Sequence, residues 1–306
     1  EFVSFVENEL RKSSEVLPVE EPKGQWGRAT KGAALGILTK FFLMQNKWEE
    51  AAQTAQEVID LGVYDLFTEG NRTELFAPEN KADNEFIFVA NMSDTPTNVT
   101  GNGWLSHVAP DGFQWKFPPR IIFAAEYSVR TEFLEELFSN PNDERRDAFL
   151  FEFVNVEGDT EQLGEDDVRS FKFPEYPNQG ISRDPNDFPY VRYADILLSR
   201  AEALNEINGP NQESVDLLNM IREAAGVSTF TVSDFSNKEE FSDFILDERG
   251  REFHTEAIRR QDLIRHGKYI EKAIERGHSA QPFHVRFPIP ETEIERNPNL
   301  EQNEGF

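Results

Sequence analysis

The chain has no cysteine among its 306 residues. That excludes disulfides, thiolate metal centres and thiol catalysis together. It says little about compartment, because a chain this long buries enough surface to hold together without crosslinks even outside the cell. Positive charge is also scarce: 31 lysines and arginines face 57 aspartates and glutamates, a net charge of −26. Such a balance works against a partner held through its phosphates, so no nucleic acid is expected and an uncharged ligand is favoured. Long apolar runs are missing as well. The longest, residues 32–44, is interrupted by Lys40 and falls short of the roughly 20 residues a membrane helix needs. The sequence opens on Glu1 with neither a basic nor an apolar leader, and reads as a processed or truncated product.

Helical spacing is what is present. From 28 to 61, Ala33, Ile37, Phe41 and Met44 mark one apolar face and Trp48, Ala52, Ala55 and Ile59 a second, the recurrence of an amphipathic helix. The break at Gln45-Asn46-Lys47, with Asn46 as cap and Glu49 three residues on, and the stop at Gly62 predict a helical hairpin. Residues 191–225 repeat the plan: Tyr193, Leu197, Ala201 and Leu204, a turn at Gly209-Pro210, then Val215, Leu218 and Ile221 before Gly226. Two such hairpins predict tetratricopeptide-like packing, in which each unit buries its face only by stacking on neighbours. A third helix is predicted over 238–266, with Ser236 and Glu239 as a capping box. Residues 62–189 lack sustained periodicity and read as a long irregular insertion with short strands, such as 85–89. The tail 287–306, with Pro288, Pro290 and Pro298, is predicted to run extended. The expectation is a mostly α-helical fold, a single domain over 1–306, with no cofactor and no metal site.

Two places invite a chemical reading. On a helical wheel, Glu248, Glu252 and Glu256 fall on the same side as Phe241, Ile245 and Leu263, so carboxylates enter the core face. Paired carboxylates are what a glycosidase uses, with Glu252 and Glu256 the candidates. Arg249, Arg251, Arg259 and Arg260 lie close by in sequence and would depress those pKa values where a general acid needs a raised one, which favours a buried ion-pair ladder. The second place is the insertion, where Trp104, Phe113, Trp115 and Phe117 cluster. Sugar rings stack their C–H faces on indoles while hydroxyls pair with amides and carboxylates. Trp104 and Trp115 are therefore the expected platforms, with Asn102, Asp111, Phe113, Gln114 and Arg120 as further contacts; the bland alternative is that the tryptophans anchor the loop. Other signals fail on spacing: His254 and Glu256 form H-x-E without the following P-C-x-x-C, and Gly101-Asn102-Gly103 lacks the third glycine of a dinucleotide loop. The acidic run Asp159, Glu161, Glu165, Asp166 and Asp167 has no calcium-loop spacing.

Three C-terminal stretches resemble the SusD/RagB family of outer-membrane glycan-binding lipoproteins. Arg192, Ala194 and Asp195 open a helix that runs to Ala201-Glu202-Ala203; Asp247-Glu248-Arg249-Gly250-Arg251-Glu252-Phe253 is followed by Asp262-Leu263-Ile264-Arg265; and Phe287-Pro288-Ile289-Pro290 leads to Asn297-Pro298-Asn299-Leu300 and Gln302-Asn303. Upstream, Gly27-Arg28-Ala29-Thr30-Lys31-Gly32-Ala33-Ala34 before Trp48-Glu49-Glu50-Ala51 is similar to the family's hairpin there. The resemblance implies a non-catalytic protein that binds an oligosaccharide or polysaccharide at the cell surface and passes it to a SusC-like TonB-dependent transporter. It also implies a lipid anchor on the outer membrane, carried by a segment this chain lacks. The alternatives are a helical scaffold for protein partners and a glycoside hydrolase.

Overall fold

The computed structural model describes residues 1–93, 101–117, 121–123, 125–177 and 183–306. The fold is mostly helical. Contacts divide the chain into two compact units, Glu1–Glu256 and Ala257–Phe306.

The first unit begins with α1 (Phe2–Val16), α2 (Lys31–Leu43) and α3 (Trp48–Ile59). Thr30 starts α2 by accepting the Ala33 N–H on its hydroxyl at 3.2 Å, satisfying one of the donors a helix start leaves unpaired. Small residues let neighbours approach: a Cβ on Gly36 would stand 2.7 Å from the Val191 side chain. Asn46 is not the cap of α3. It takes a left-handed backbone, φ 57°, which closes α2, and Lys47 precedes α3 instead.

The insertion opens with two 3-10 turns, includes α4 (Trp104–Val108) and α5 (Thr131–Leu137), and carries its strands in pairs. Antiparallel β1 (Phe86–Ala90) and β6 (Phe188–Arg192) bracket it; β2 (Phe149–Leu150) pairs with β5 (Arg169–Ser170), and β3 (Glu152–Val154) with β4 (Thr160–Gln162). Phe67, Leu75, Phe76, Phe86, Val89 and Phe173 form one buried cluster here, and Leu134, Leu137, Phe138, Phe149 and Val168 another, so the insertion has cores of its own.

The second hairpin is α6 (Tyr193–Asn208) and α7 (Gln212–Ala224). Gly209 turns the chain with φ 74°, and Asn211 and Ser214 form a reciprocal capping box. The helix α8 (Lys238–Glu252) is capped one residue later than the sequence suggests, by Asn237, which accepts the Glu240 N–H at 2.9 Å. It also stops short of 266. Lys172 takes the carbonyls of Glu252 at 2.7 Å and His254 at 3.1 Å, so a buried ammonium occupies acceptors that further helical turns would use. Thr255 and Ala257 then adopt positive φ.

In the second unit, α9 (Arg259–Arg265), α10 (Tyr269–Glu275) and α11 (Glu291–Arg296) are short. The tail is not wholly extended, because α11 forms directly after Pro290, whose fixed φ suits a helix entry. Gln302 clamps Ile289 through both backbone groups, at 2.8 and 2.9 Å. Among the described residues, no helix is long and apolar enough to cross a membrane.

Candidate ligand-binding surfaces

The carboxylates of α8 do enter the core. Glu248 lies 2.8 Å from Arg145 and from Arg222, and 3.0 Å from Arg251. One turn on, Glu252 meets Arg72 at 2.7 Å, Arg192 at 3.0 Å and Arg145 at 3.1 Å. Glu256, in the turn after the helix, meets Lys172 at 2.6 Å and Arg192 at 2.7 Å, and Glu85 pairs with both Arg72 and Arg192. The ladder forms, although most of its cations differ from those adjacent in sequence: Arg249 pairs with Asp195 instead, at 2.8 Å.

At Glu248 and Glu252 burial pushes the carboxyl group up, and the facing guanidinium groups push it down by more. Glu248 falls from an ordinary 4.5 to about 2, and Glu252 is held well below its ordinary range. Glycoside hydrolysis needs one carboxyl held protonated and both within reach of substrate. Glu252 and Glu256 are 2% and 4% exposed and are saturated by cations, so their work is to join α8 to the insertion.

The aromatic residues of the insertion divide between two surfaces. Trp104 opens α4 and donates its indole N–H to the Ser170 carbonyl at 2.8 Å. Its ring lies parallel to that of Tyr127, with centroids 5.6 Å apart and planes 3° apart. Tyr127 is 50% exposed and Phe123 52%. Between them, His107 bonds Glu126 at 2.9 Å and tilts against Phe123 and Tyr127 with centroids at 4.8 and 6.1 Å. Arg169 holds this segment in place through the carbonyls of Ala125 at 2.9 Å and Tyr127 at 3.3 Å. Asn102 is buried beneath it. Its backbone exchanges two 2.7 Å hydrogen bonds with Asp184, and its side-chain oxygen accepts the Trp104 N–H at 2.9 Å.

Phe113, Gln114 and Trp115 lie in a separate groove of about 560 Å³, shared with Lys116, Glu152, Val154 and Thr160. The groove exists because this stretch pairs with the β3–β4 hairpin, Gln114 donating to Val154 at 3.0 Å and Val156 to Gly112 at 2.9 Å. Phe113 supports Trp115 edge-on at 4.9 Å and packs on Phe171 at 5.2 Å. Asp111 is exposed at the preceding turn, and Arg120 lies outside the described residues. The structure therefore brings Phe113, Gln114 and Trp115 together and sets Trp104 apart from them, behind Tyr127, with Asn102 buried. Sequence reasoning passed over Tyr127, Phe123 and the role of His107, because nothing local ties them to Trp104. Among the described residues, no His, Asp and Glu group is arranged to hold a metal.

The family model described as the SusD family matches residues 168–306. SusD-like protein P25 of Formosa agariphila is 25% identical over 346 residues, covering 99% of this chain and 63% of that protein. The starch-binding protein SusD of Bacteroides thetaiotaomicron is 25% identical over 380 residues, covering 100% of this chain and 65% of that protein. The chain thus spans 63% and 65% of the length of these relatives. Surface glycan-binding protein A of Bacteroides thetaiotaomicron, solved with laminarihexaose, superposes with a TM-score of 0.80 at 22% identity, covering 98% of this chain and 70% of that one, and shares its fold. The match over residues 168–306, the relatives and the shared fold together support membership of the SusD/RagB family.

Proposed function

We propose that this chain is the non-catalytic glycan-binding part of an outer-membrane uptake system, holding an oligosaccharide or polysaccharide at the cell surface and presenting it to a SusC-like TonB-dependent transporter. The observation that carries the reading is the exposed Tyr127 ring backed in parallel by Trp104. Stacking a sugar ring needs an apolar face that is open to solvent yet rigid, and both conditions hold here: Trp104 is tied to Ser170 and the Tyr127 backbone to Arg169. His107 and Glu126 beside it supply polar contacts for hydroxyls. The groove of Phe113, Gln114 and Trp115 offers a second stretch of contact for a longer chain. The names of the relatives, one starch-binding and one bearing laminarihexaose, support a glycan as the ligand. The buried, ion-paired state of Glu252 and Glu256 supports a role without catalysis.

Affinity electrophoresis against neutral and acidic polysaccharides, run beside an assay for newly released reducing ends, tests the proposal. Retardation by a glycan that is lost in Tyr127→Ala, with no reducing ends released, is the expected result. Hydrolysis would overturn the non-catalytic reading. No retardation by any glycan would favour a scaffold for protein partners.

A further inference from the structure

A cavity of about 490 Å³ lies between residues 19–30, 62–64 and 82–87. Its size is that of small-molecule sites, and it shares no lining residue with the Tyr127 surface or the Trp115 groove. Trp26 and Tyr64 are among the residues that line it. Their polar tips are already engaged: the Trp26 indole N–H donates to Asp187 at 2.6 Å, and the Tyr64 hydroxyl shares a 3.2 Å hydrogen bond with Thr30. What they offer the cavity is ring surface. Tyr64 occupies its place because residue 32 has no side chain, since a Cβ on Gly32 would stand 2.2 Å from the Tyr64 hydroxyl.

The charged groups at the cavity are of one sign. Glu20, Glu21 and Asp83 line it, and no lysine or arginine does. Glu21 accepts one backbone N–H, from Gly27 at 3.1 Å, and Asp83 accepts that of Glu85 at 2.8 Å. Among the described residues, neither forms an ion pair. A partly desolvated carboxylate is costly, and burial raises the pKa of both groups; no cation offsets it at Glu21, and Arg72 offsets it only in part at Asp83. The core ladder of this protein shows the opposite arrangement, every carboxylate there facing guanidinium or ammonium. A bound cation would relieve both carboxylates and be attracted to both ring faces, and the net charge of −26 draws cations toward the protein. A neutral molecule of the same size offers hydrogen bonds but no charge relief.

We propose that the cavity framed by Trp26 and Tyr64 binds a small organic cation, an ammonium-bearing molecule of about monosaccharide size. The inference does not rest on the glycan reading of the Tyr127 surface.

The test is a titration followed by tryptophan fluorescence and saturation-transfer NMR, with glucosamine hydrochloride compared against glucose and N-acetylglucosamine. These probes have nearly the same ring and differ in charge. Glucosamine is expected to saturate at least tenfold more tightly than either neutral sugar, and added salt is expected to weaken it. The preference should disappear in the Glu21→Gln/Asp83→Asn double variant and persist in Tyr127→Ala. Absence of saturation by glucosamine, or equal binding of glucose, would overturn the proposal on the wild-type protein alone, without a variant that must fold. Loss of the preference in Tyr127→Ala but not in the double variant would also overturn it, by placing the amine on the other surface.

Discussion

Arg192 and Glu256, 64 positions apart in the chain, meet through two parallel hydrogen bonds, Nε to Oε2 at 2.9 Å and Nη2 to Oε1 at 2.7 Å. The arrangement is the fork-to-fork pairing that only arginine makes with a carboxylate. It ties the start of the second hairpin to the turn after α8. The same guanidinium reaches Glu85 and Glu252, so one side chain joins three segments of the first unit.

Removing one member of this network leaves charges buried without a partner. Glu252→Gln is expected to destabilise the fold by about 3–5 kcal/mol, the range for breaking a buried ion pair from one side. Urea unfolding followed by circular dichroism measures it. A loss under about 1 kcal/mol would mean the ladder is solvated in solution.

Lys172 should behave differently. Burial lowers its pKa to about 8, so the folded protein holds this ammonium less readily than the unfolded chain does. For a base whose folded value is depressed, stability rises with pH between about 8 and its ordinary 10.5. Lys172→Met is expected to abolish that rise, as read from denaturant midpoints across the window.

On the acid side two groups add in sequence. His254 is buried between Phe138 and Phe149, and burial, then Lys172, hold its pKa well below 6.5; its contribution is complete above 6.5 and fades as the pH falls below it. Glu248, ordinarily 4.5 and here about 2, contributes fully above 4.5 and is lost on the way down to 2. Stability should therefore decline in two stages. His254→Phe should flatten the first and leave the second, which a pH series of thermal melts resolves.

Trp104 and Tyr127 separate support from contact. Trp104→Phe keeps a ring behind Tyr127 but strands the Ser170 carbonyl, at a cost of about 1–3 kcal/mol in stability. Tyr127→Ala should cost about 0.5–1.5 kcal/mol in stability through the lost ring stacking and weaken glycan binding about tenfold or more, equivalent to about 1.4 kcal/mol. Trp115→Ala is expected to weaken long glycans more than short ones. Isothermal titration with oligosaccharides of graded length distinguishes the two surfaces, and equal effects at every length would place the residues in one site.

The helical hairpins were legible because their signal is local. Ala33, Ile37 and Phe41 recur within one helix, and Gly209-Pro210 stops another, whatever lies elsewhere in the chain. The entry of Glu248 and Glu252 into the core was legible on the same ground. The position of Glu256 was read correctly as part of that cluster and wrongly as part of the helix, because the end of α8 depends on Lys172, a residue from the insertion.

The sequence by itself determined the helical scaffold, the acidic character, the absence of thiols and the lack of an apolar run long enough for a membrane helix, all of which follow from composition and from short spacings along the chain. Only the tertiary structure decided which cations answer which carboxylates, that Trp104 backs Tyr127 while Trp115 faces another groove, and that Gly32 makes room for Tyr64. Those outcomes depend on segments as far apart as Arg72 and Glu252, 180 positions along the chain. Periodicity carries no information over such a span, because the pairing is set by how buried surfaces fit and by the cost of leaving a buried charge alone.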